Sequence, residues 1–227
     1  DFNPDFVLTS GKHNMKYFSK FFKKNKLFEI GSNRFVNNFD KNYNKKIENK
    51  KKNILILPEG TFEETKILFD LSSKLANQFR DKNFILRTHP QINMRSFLKK
   101  YFIFERYKNL SNLIISKRSF DQDLNRATFV IYRGSTGIIT AILKGLIPLY
   151  YKQINEELNL DPVFDLKKYK FITSSLNDFK NIFYSKNNMK NEYYTAKLFC
   201  SNYFTPQKSL KTQRIFKLIM NYNKIST

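Results

Sequence analysis

This chain has little of what disulfide-stabilised and metal-binding proteins need. Its 227 residues include one cysteine and two histidines. The single cysteine, Cys200, excludes an internal disulfide and a site of several thiolates, and two histidines argue against a histidine-built metal cluster. No apolar run approaches the roughly 20 residues that span a bilayer. Disulfide scaffolds, multi-thiolate centres and helical membrane spans are therefore not expected.

Acidic residues are also scarce relative to basic ones. Lys and Arg number 41 against 19 Asp and Glu, a net charge of +22. A polyanionic partner, either nucleic acid or an anionic membrane, would account for this excess. An AT-rich genome would also account for it, because Lys, Asn, Ile, Phe and Tyr abound while Gly and Ala are few. Scattered lysines and the lack of a nucleic-acid-binding motif favour compositional bias with some membrane attraction, and make nucleic acid the less favoured partner.

The apolar content is nevertheless that of a folded protein, with 41% hydrophobic and 16% aromatic residues. Strand-like apolar runs alternate with helical stretches, and short turns separate them. This alternation predicts an α/β fold, a parallel Rossmann-like sheet with right-handed helical crossovers and helices on both faces. The predicted strands are 6–9, 27–30, 53–57, 84–87, 113–115, 128–132, 146–150 and 169–173.

Three segments have the spacing of a capping box, in which a Ser or Thr is followed three residues later by an acidic or amide side chain. They begin at Thr61, Ser119 and Ser175. Each predicts the start of a helix. A further helix is predicted over 15–22, where Phe side chains recur on one side.

Composition also predicts how the chain is divided. Residues 37–52 are rich in Lys and Asn and have no apolar period, which is typical of a linker. We therefore expect 1–36 to be the end of an N-terminal domain and 53–227 to be a second domain that ends in helices. The first residues resemble the middle of a domain, so we expect a longer protein.

The most informative segment is Tyr132-Arg133-Gly134-Ser135-Thr136-Gly137, which joins a predicted strand to a predicted helix. The first N–H groups of a helix have no internal partner and attract anions. Ser135 and Thr136 add hydroxyl donors, and Gly134 lets a ligand approach the backbone. The segment predicts a phosphate site, although Ser and Thr are also ordinary helix caps.

Two other predicted strands end in polar loops. Pro58-Glu59-Gly60-Thr61 follows one strand, and Arg87-Thr88-His89-Pro90 follows another. Ligands of open parallel sheets lie beyond the carboxyl ends of the strands, so we expect these loops and segment 132–137 to form one site. Glu59-Gly60 could equally be only a turn before a helix. The alternative interpretation of His89-Pro90 is a stiff loop with a solvent-exposed imidazole. His13 is interpreted as a surface residue.

The order of these motifs resembles the C-terminal, donor-binding half of GT-B glycosyltransferases of bacterial surface-polysaccharide synthesis. Sialyltransferases and Kdo-transferases of that group have Glu/Asp-Gly, His-Pro and Ser/Ser or Ser/Thr motifs. The glycerophosphotransferases of teichoic acid synthesis have similar His-Pro and Ser-Ser elements. The resemblance covers about residues 5–151. Two features depart from it: Pro58 replaces an acidic residue, and 138–142 has no carboxylate.

The resemblance implies a nucleotide-sugar donor, linked to CMP, CDP or UDP, and a glycan or lipid-linked acceptor. It implies that His89 contacts the donor phosphate and is catalytic. Arg87 and Arg133 would add charge-assisted bonds, or would pair with carboxylates. No cofactor and no metal are expected, and the general base would lie in the other domain. The expected site residues are His89, Gly134, Ser135, Thr136, Arg133, Arg87, Glu59, Gly60 and Thr61.

Three other classes stay open: a nucleotide-sugar 2-epimerase, a basic nucleic-acid-binding module and a non-catalytic scaffold of envelope assembly. The epimerase shares the two-domain fold but needs several acidic and histidine residues around the sugar. A lipid-linked acceptor and a basic surface together imply a cytoplasmic protein, peripheral on the inner face of the plasma membrane.

Overall fold

A computed structural model gives the structure of residues 4–33, 53–101, 109–185, 189–207 and 209–225. The described residues form two compact units. One unit draws on Asp1–Phe39 and Lys197–Thr227, and the other on Asp40–Ala196. The C-terminal helical segment thus clusters with the start of the chain. The predicted boundary at 53–227 stays a prediction, and the predicted linker at 37–52 lies outside the described residues.

Strands and helices alternate through the described residues as the sequence predicts. The described strands are β1 (Val7–Thr9), β2 (Leu27–Glu29), β3 (Asn53–Leu57), β4 (Asn83–Leu86), β5 (Leu113–Ile115), β6 (Phe129–Tyr132), β7 (Ile147–Tyr151) and β8 (Phe171–Thr173). The described α-helices are α1 (Lys12–Phe18), α2 (Phe62–Gln78), α3 (Met94–Lys100), α4 (Phe120–Arg126), α5 (Gly137–Leu143), α6 (Leu176–Phe183), α7 (Lys190–Ser201) and α8 (Ser209–Ile225). None of these helices is long and apolar enough to cross a bilayer.

The larger unit is built on a six-stranded sheet in which every neighbouring pair is parallel. Residues 54–57 of β3 and all of β6 are buried. Such strands are apolar at every position because both sheet faces are covered, which is the usual state of a parallel sheet. This confirms the predicted α/β fold with a parallel Rossmann-like sheet.

The strand order fixes where a ligand site belongs. The strands lie in the order β5-β4-β3-β6-β7-β8. The chain moves outward from β3 to β5, returns to the centre at β6, and moves outward on the other side to β8. The direction reverses between β3 and β6, and ligands of open parallel sheets bind beyond the carboxyl ends of the strands at such a reversal.

Helix starts follow the capping signals. Ser119 and Ser175 each form a complete capping box with the side chain three residues later. The Thr61 hydroxyl accepts a hydrogen bond from the Glu64 N–H at 3.2 Å. The Glu64 carboxylate, however, lies 2.7 Å from Arg133 Nε. The Glu64 side chain, which was expected to complete the cap of α2, therefore pairs with Arg133 in the loop after β6.

The smaller unit joins the start of the chain to its C-terminal part. β1 and β2 form a parallel pair. The His13 ring stacks on the Tyr203 ring at a centroid distance of 4.2 Å. The backbone N–H of His13 donates to the Asn202 carbonyl at 2.9 Å. His13 is thus half-buried, rather than simply a surface residue. Cys200 is fully buried, and burial raises the pKa of its thiol.

Candidate functional site

Three loops leave the carboxyl ends of adjacent central strands. They follow β3, β4 and β6, so they lie at the reversal of the sheet. Contacts between their residues bring Glu59, Gly60, His89 and Gly134 together. This convergence is the geometry that the parallel-sheet prediction requires.

Glu59 and Gly134 touch across the reversal. A Cβ on Gly134 would overlap the Oε1 atom of Glu59. The Gly134 N–H donates a hydrogen bond to the Glu59 carboxylate. Residue 134 must therefore lack a side chain for the Glu59 carboxylate to lie against the loop after β6.

His89 lies against Gly60. A Cβ on Gly60 would be 3.0 Å from His89 Nδ1 and 2.5 Å from Gln91 Oε1. His89 Nδ1 accepts a hydrogen bond from the Gln91 N–H at 3.3 Å, and the His89 carbonyl accepts one from the Ile92 N–H at 2.9 Å. Because Nδ1 accepts, the neutral imidazole carries its proton on Nε2, which is then a donor.

The Glu59 carboxyl titrates above the ordinary range. Burial is the largest cause, and the negative charge of Glu64 adds to it. These effects outweigh the Arg133 charge, the Gly134 hydrogen bond and the His89 charge, so the pKa of Glu59 is raised above 4.5. The protein holds this carboxylate in a place where ionisation is disfavoured, which is typical of functional sites.

Replacing Glu59 by Gln is expected to stabilise the folded protein at neutral pH. A raised folded pKa means that the folded state binds the proton more tightly, so wild-type stability falls as pH rises past 4.5. Gln keeps the acceptor for Gly134 without the charge. We therefore expect a higher Tm than that of the wild type at pH 7, and a difference that disappears as the pH falls far enough to protonate Glu59 in the wild type. Thermal unfolding across that range checks it, and a lower Tm at pH 7 would contradict it.

The two hydroxyl residues follow at the start of α5. Thr136 is the N-cap, is exposed, and makes no side-chain capping hydrogen bond. Ser135 is half-buried, and its Oγ lies 3.4 Å from where a Cβ on Gly137 would be. The carbonyls of Ser135 and Thr136 accept from Ile138 and Ile139, both at 3.2 Å. Backbone bonds close this turn, so the alternative that the Thr136 hydroxyl is an ordinary cap is not supported.

Arg133 faces carboxylates. Its side chain is 3% exposed. Its Nε lies 2.7 Å from Glu64 Oε2, and its Nη1 lies 2.8 Å from Glu156 Oε2 and 3.2 Å from the Tyr151 carbonyl. Of the two roles considered for Arg133, this geometry favours pairing with carboxylates over a phosphate contact. Arg133 ties the start of α2 to the segment after β7.

Arg87 is likewise engaged by protein groups. Its Nη1 lies 3.1 Å from Asp123 Oδ2 and 2.6 Å from the Arg118 carbonyl, and its guanidinium lies over the Phe120 ring. The pairing alternative is thus also favoured for Arg87. A direct phosphate contact by either arginine is a prediction that these distances do not favour.

Two side chains of this region were missed in the sequence. The Gln91 side chain lies against Gly60 and its backbone N–H donates to His89 Nδ1, but nothing in the sequence spacing marks Gln91. Glu156 accepts hydrogen bonds from Arg133, from the Tyr150 hydroxyl and from the Gln153 N–H. Burial opposes ionisation of Glu156, but these donors and the Arg133 charge outweigh it and lower its pKa. The sequence does contain one signal for Glu156, because it is a carboxylate in the loop that follows a buried parallel strand.

Comparison with known proteins identifies the fold. No family model matches the chain, and no curated protein matches it by sequence. Its structure is similar to that of a variant of the wall teichoic acid polymerase TagF, with TM-score 0.54 and 16% identity over 98% of this chain and 59% of that one. It is also similar to the glycotransferase of kitacinnamycin, with TM-score 0.58 and 12% identity over 96% and 55%.

A third similar structure is the UDP-GlcNAc 2-epimerase of Methanocaldococcus jannaschii in complex with UDP-GlcNAc and UDP. Its TM-score is 0.52, with 14% identity over 96% of this chain and 61% of that one. At these identities the likeness is one of fold, and the fold is the Rossmann-like α/β arrangement of GT-B proteins. The chain spans about three-fifths of the length of these structures.

Proposed function

We propose that this chain belongs to a glycosyltransferase of surface-polysaccharide synthesis. In this proposal the larger unit binds a nucleotide-activated sugar, or a CDP-linked alditol, by its phosphate. The carbohydrate or alditol phosphate is then transferred to a glycan or lipid-linked acceptor. The base that deprotonates the acceptor belongs to the other domain of the complete protein.

One observation carries the proposal: the loops after β3, β4 and β6 meet at the reversal of the sheet. Gly60 lies against His89, and the Gly134 N–H donates to Glu59. Parallel sheets bind ligands at this place because several strand ends present loops to one volume. The GT-B fold of the similar structures supports the same placement.

The chemistry follows from the charge that develops during transfer. As the bond to the donor sugar breaks, negative charge gathers on the departing phosphate. Preorganised donors stabilise that charge without having to reorient. His89 Nε2–H and the hydroxyls of Ser135 and Thr136 are the proposed donors. Because these groups supply the stabilisation themselves, the proposed transfer needs no metal ion.

Glu59 has a different proposed part. A carboxylate repels a phosphate, and Glu59 already takes the Gly134 N–H. We assign it to accept a hydrogen bond from a hydroxyl group of the donor. The phosphate then lies on the Ser135 and Thr136 side of the loop. Thr61 shapes the same loop as the N-cap of α2.

Nucleoside mono- and diphosphates are expected to raise the melting temperature of the protein. A ligand present at 100 times its Kd stabilises by about 2.7 kcal/mol, which corresponds to a Tm increase of about 5–10 °C for a protein of this size. A thermal-shift screen of CMP, CDP, UDP and GDP measures this and names the base. The unphosphorylated nucleosides and a Ser135→Ala, Thr136→Val double variant are the controls, and both should give little shift. No shift with any nucleotide would favour the scaffold alternative.

The 2-epimerase alternative is kept because one similar structure is an epimerase bound to UDP-GlcNAc and UDP. Product analysis with a labelled nucleotide sugar separates the two functions. Transfer needs an acceptor and leaves free nucleotide. Epimerisation needs no acceptor and changes the sugar.

A further inference from the structure

A surface far from the phosphate site in the sequence has an unusual composition. The segment from Lys12 to Lys26 comprises α1, the turn after it and a short 3₁₀ helix. It contains six lysines and no acidic residue: Lys12, Lys16, Lys20, Lys23, Lys24 and Lys26. All but Lys26 are exposed, and Lys26 is half-buried. We call this stretch the basic-aromatic segment.

Two aromatic rings lie among these lysines and face solvent. The Tyr17 side chain is 47% exposed and the Phe21 side chain is 67% exposed. Their ring centroids are 5.5 Å apart, although Tyr17 lies in α1 and Phe21 in the turn that follows it. Lys20 Nζ lies 5.9 Å from the Tyr17 centroid. The segment therefore presents adjoining aromatic rings surrounded by flexible positive charges.

We propose that the basic-aromatic segment docks the protein on an anionic phospholipid membrane. Clusters of four to eight basic residues on an amphipathic segment attract anionic lipid head groups. Exposed rings strengthen such binding because they enter the boundary between head groups and acyl chains. The occupant is thus an anionic bilayer surface, and six lysines in a segment whose sequence contains no acidic residue supply the charge complementarity.

The residue types favour a membrane over nucleic acid. The segment contains lysines and no arginine, whereas arginine supplies the planar fork that recognises nucleic-acid phosphates and bases. Phe21, its most exposed ring, has no hydrogen-bonding group. This inference rests on the peripheral membrane association expected for a transferase with a lipid-linked acceptor. It does not depend on which nucleotide the larger unit binds.

Flotation with phosphatidylglycerol–phosphatidylcholine vesicles tests the proposal directly. The protein is expected to float with these vesicles at low salt, to float far less at high salt, and not to bind pure phosphatidylcholine. Replacing Lys16 and Lys20 by Gln should weaken binding about 25-fold, at about fivefold for each lysine. Replacing Lys167 and Lys168 by Gln is the matched control. It removes the same charge from exposed positions of the larger unit, and should have a clearly smaller effect.

A second variant separates this segment from a general effect of net charge. Replacing Tyr17 and Phe21 by Ser leaves the charge unchanged and should weaken vesicle binding about tenfold. Equal losses in both lysine pairs, or full binding by the Ser variant, would overturn the proposal. So would tighter binding to a labelled oligonucleotide than to vesicles, with the same loss in Lys16→Gln, Lys20→Gln.

The vesicle-binding test of the docking surface and the nucleotide test of the proposed donor site can fail independently. The lysine and aromatic variants should keep the nucleotide-dependent Tm shift, and a circular dichroism spectrum that matches the wild type shows that they fold. His89→Ala should keep vesicle binding. Loss of nucleotide shift with intact flotation would count against the donor site alone, and the reverse result would count against the docking surface alone.

Discussion

Replacing His89 by Ala is expected to lower kcat for the proposed transfer by about 100- to 1,000-fold, because one proposed donor to the developing phosphate charge is lost. The effect should fall mainly on kcat, since the charge develops in the transition state. The neutral imidazole has Nδ1 accepting from the Gln91 N–H, which leaves Nε2 as the donor. Steady-state kinetics with donor and acceptor varied in turn measures the effect.

Replacing His89 by Gln is the matched control, because the Gln amide nitrogen supplies a donor on a side chain of similar reach. If His89 acts by donating a hydrogen bond, the Gln variant should keep clearly more activity than the Ala variant. Equal, severe losses would instead indicate proton transfer by the imidazole. Near-normal turnover of the Ala variant would refute the assignment of His89.

The central sheet could be predicted because its two central strands, β3 and β6, are apolar over 54–57 and 129–132. Ile54 to Leu57 and the four residues of β6 leave no polar face, so only a doubly covered parallel sheet suits them. The loop contacts followed from that topology, because adjacent parallel strands end at the same edge. The predicted topology therefore also placed the loops that contain Glu59, Gly60, His89 and Gly134 close together.

Less regular local structure was harder to predict. A strand was expected over 169–173, but β8 begins only at Phe171. Tyr169 adopts φ of +71°, a conformation rare for a residue with a side chain, while its hydroxyl donates to the Gly145 carbonyl at 3.0 Å. The hydrogen-bond partner of Tyr169 lies 24 residues away in the sequence. Sequence patterns within a local window do not contain such information.

The direction of a side chain just beyond the end of a strand also could not be predicted. Arg133 follows β6 directly, yet its guanidinium pairs with Glu64 and Glu156. Its partners lie 69 and 23 residues away in the sequence. The sequence left open whether Arg133 binds a ligand or pairs with carboxylates. Which partner it takes depends on how the loop after β7 folds back.

Replacing Arg133 by Met is expected to destabilise the larger unit by about 3–5 kcal/mol, because removing one member of a buried ion pair leaves uncompensated charge. Here one cation lies between two carboxylates, and the side chains of Glu64 and Glu156 are 16% and 5% exposed. The corresponding fall in Tm is about 6–20 °C. The stability of Arg133→Lys should lie between that of the wild type and that of Arg133→Met, because an ammonium group lacks the planar fork that reaches both carboxylates.

Arg87→Met is the matched control for stability. Its partner Asp123 keeps Arg126 at 2.8 Å and the Ser116 hydroxyl, so no carboxylate is left alone. We expect that variant to lose only about 1–2 kcal/mol. Low pH should narrow the difference in stability between the wild type and Arg133→Met. Arg133 helps to lower the pKa of Glu156 in the wild type, and protonation of Glu156 in the variant removes its unpaired charge. Thermal unfolding at several pH values measures both effects. Equal losses in the two variants, or a gap that does not change with pH, would mean that Arg133 contributes mainly by packing.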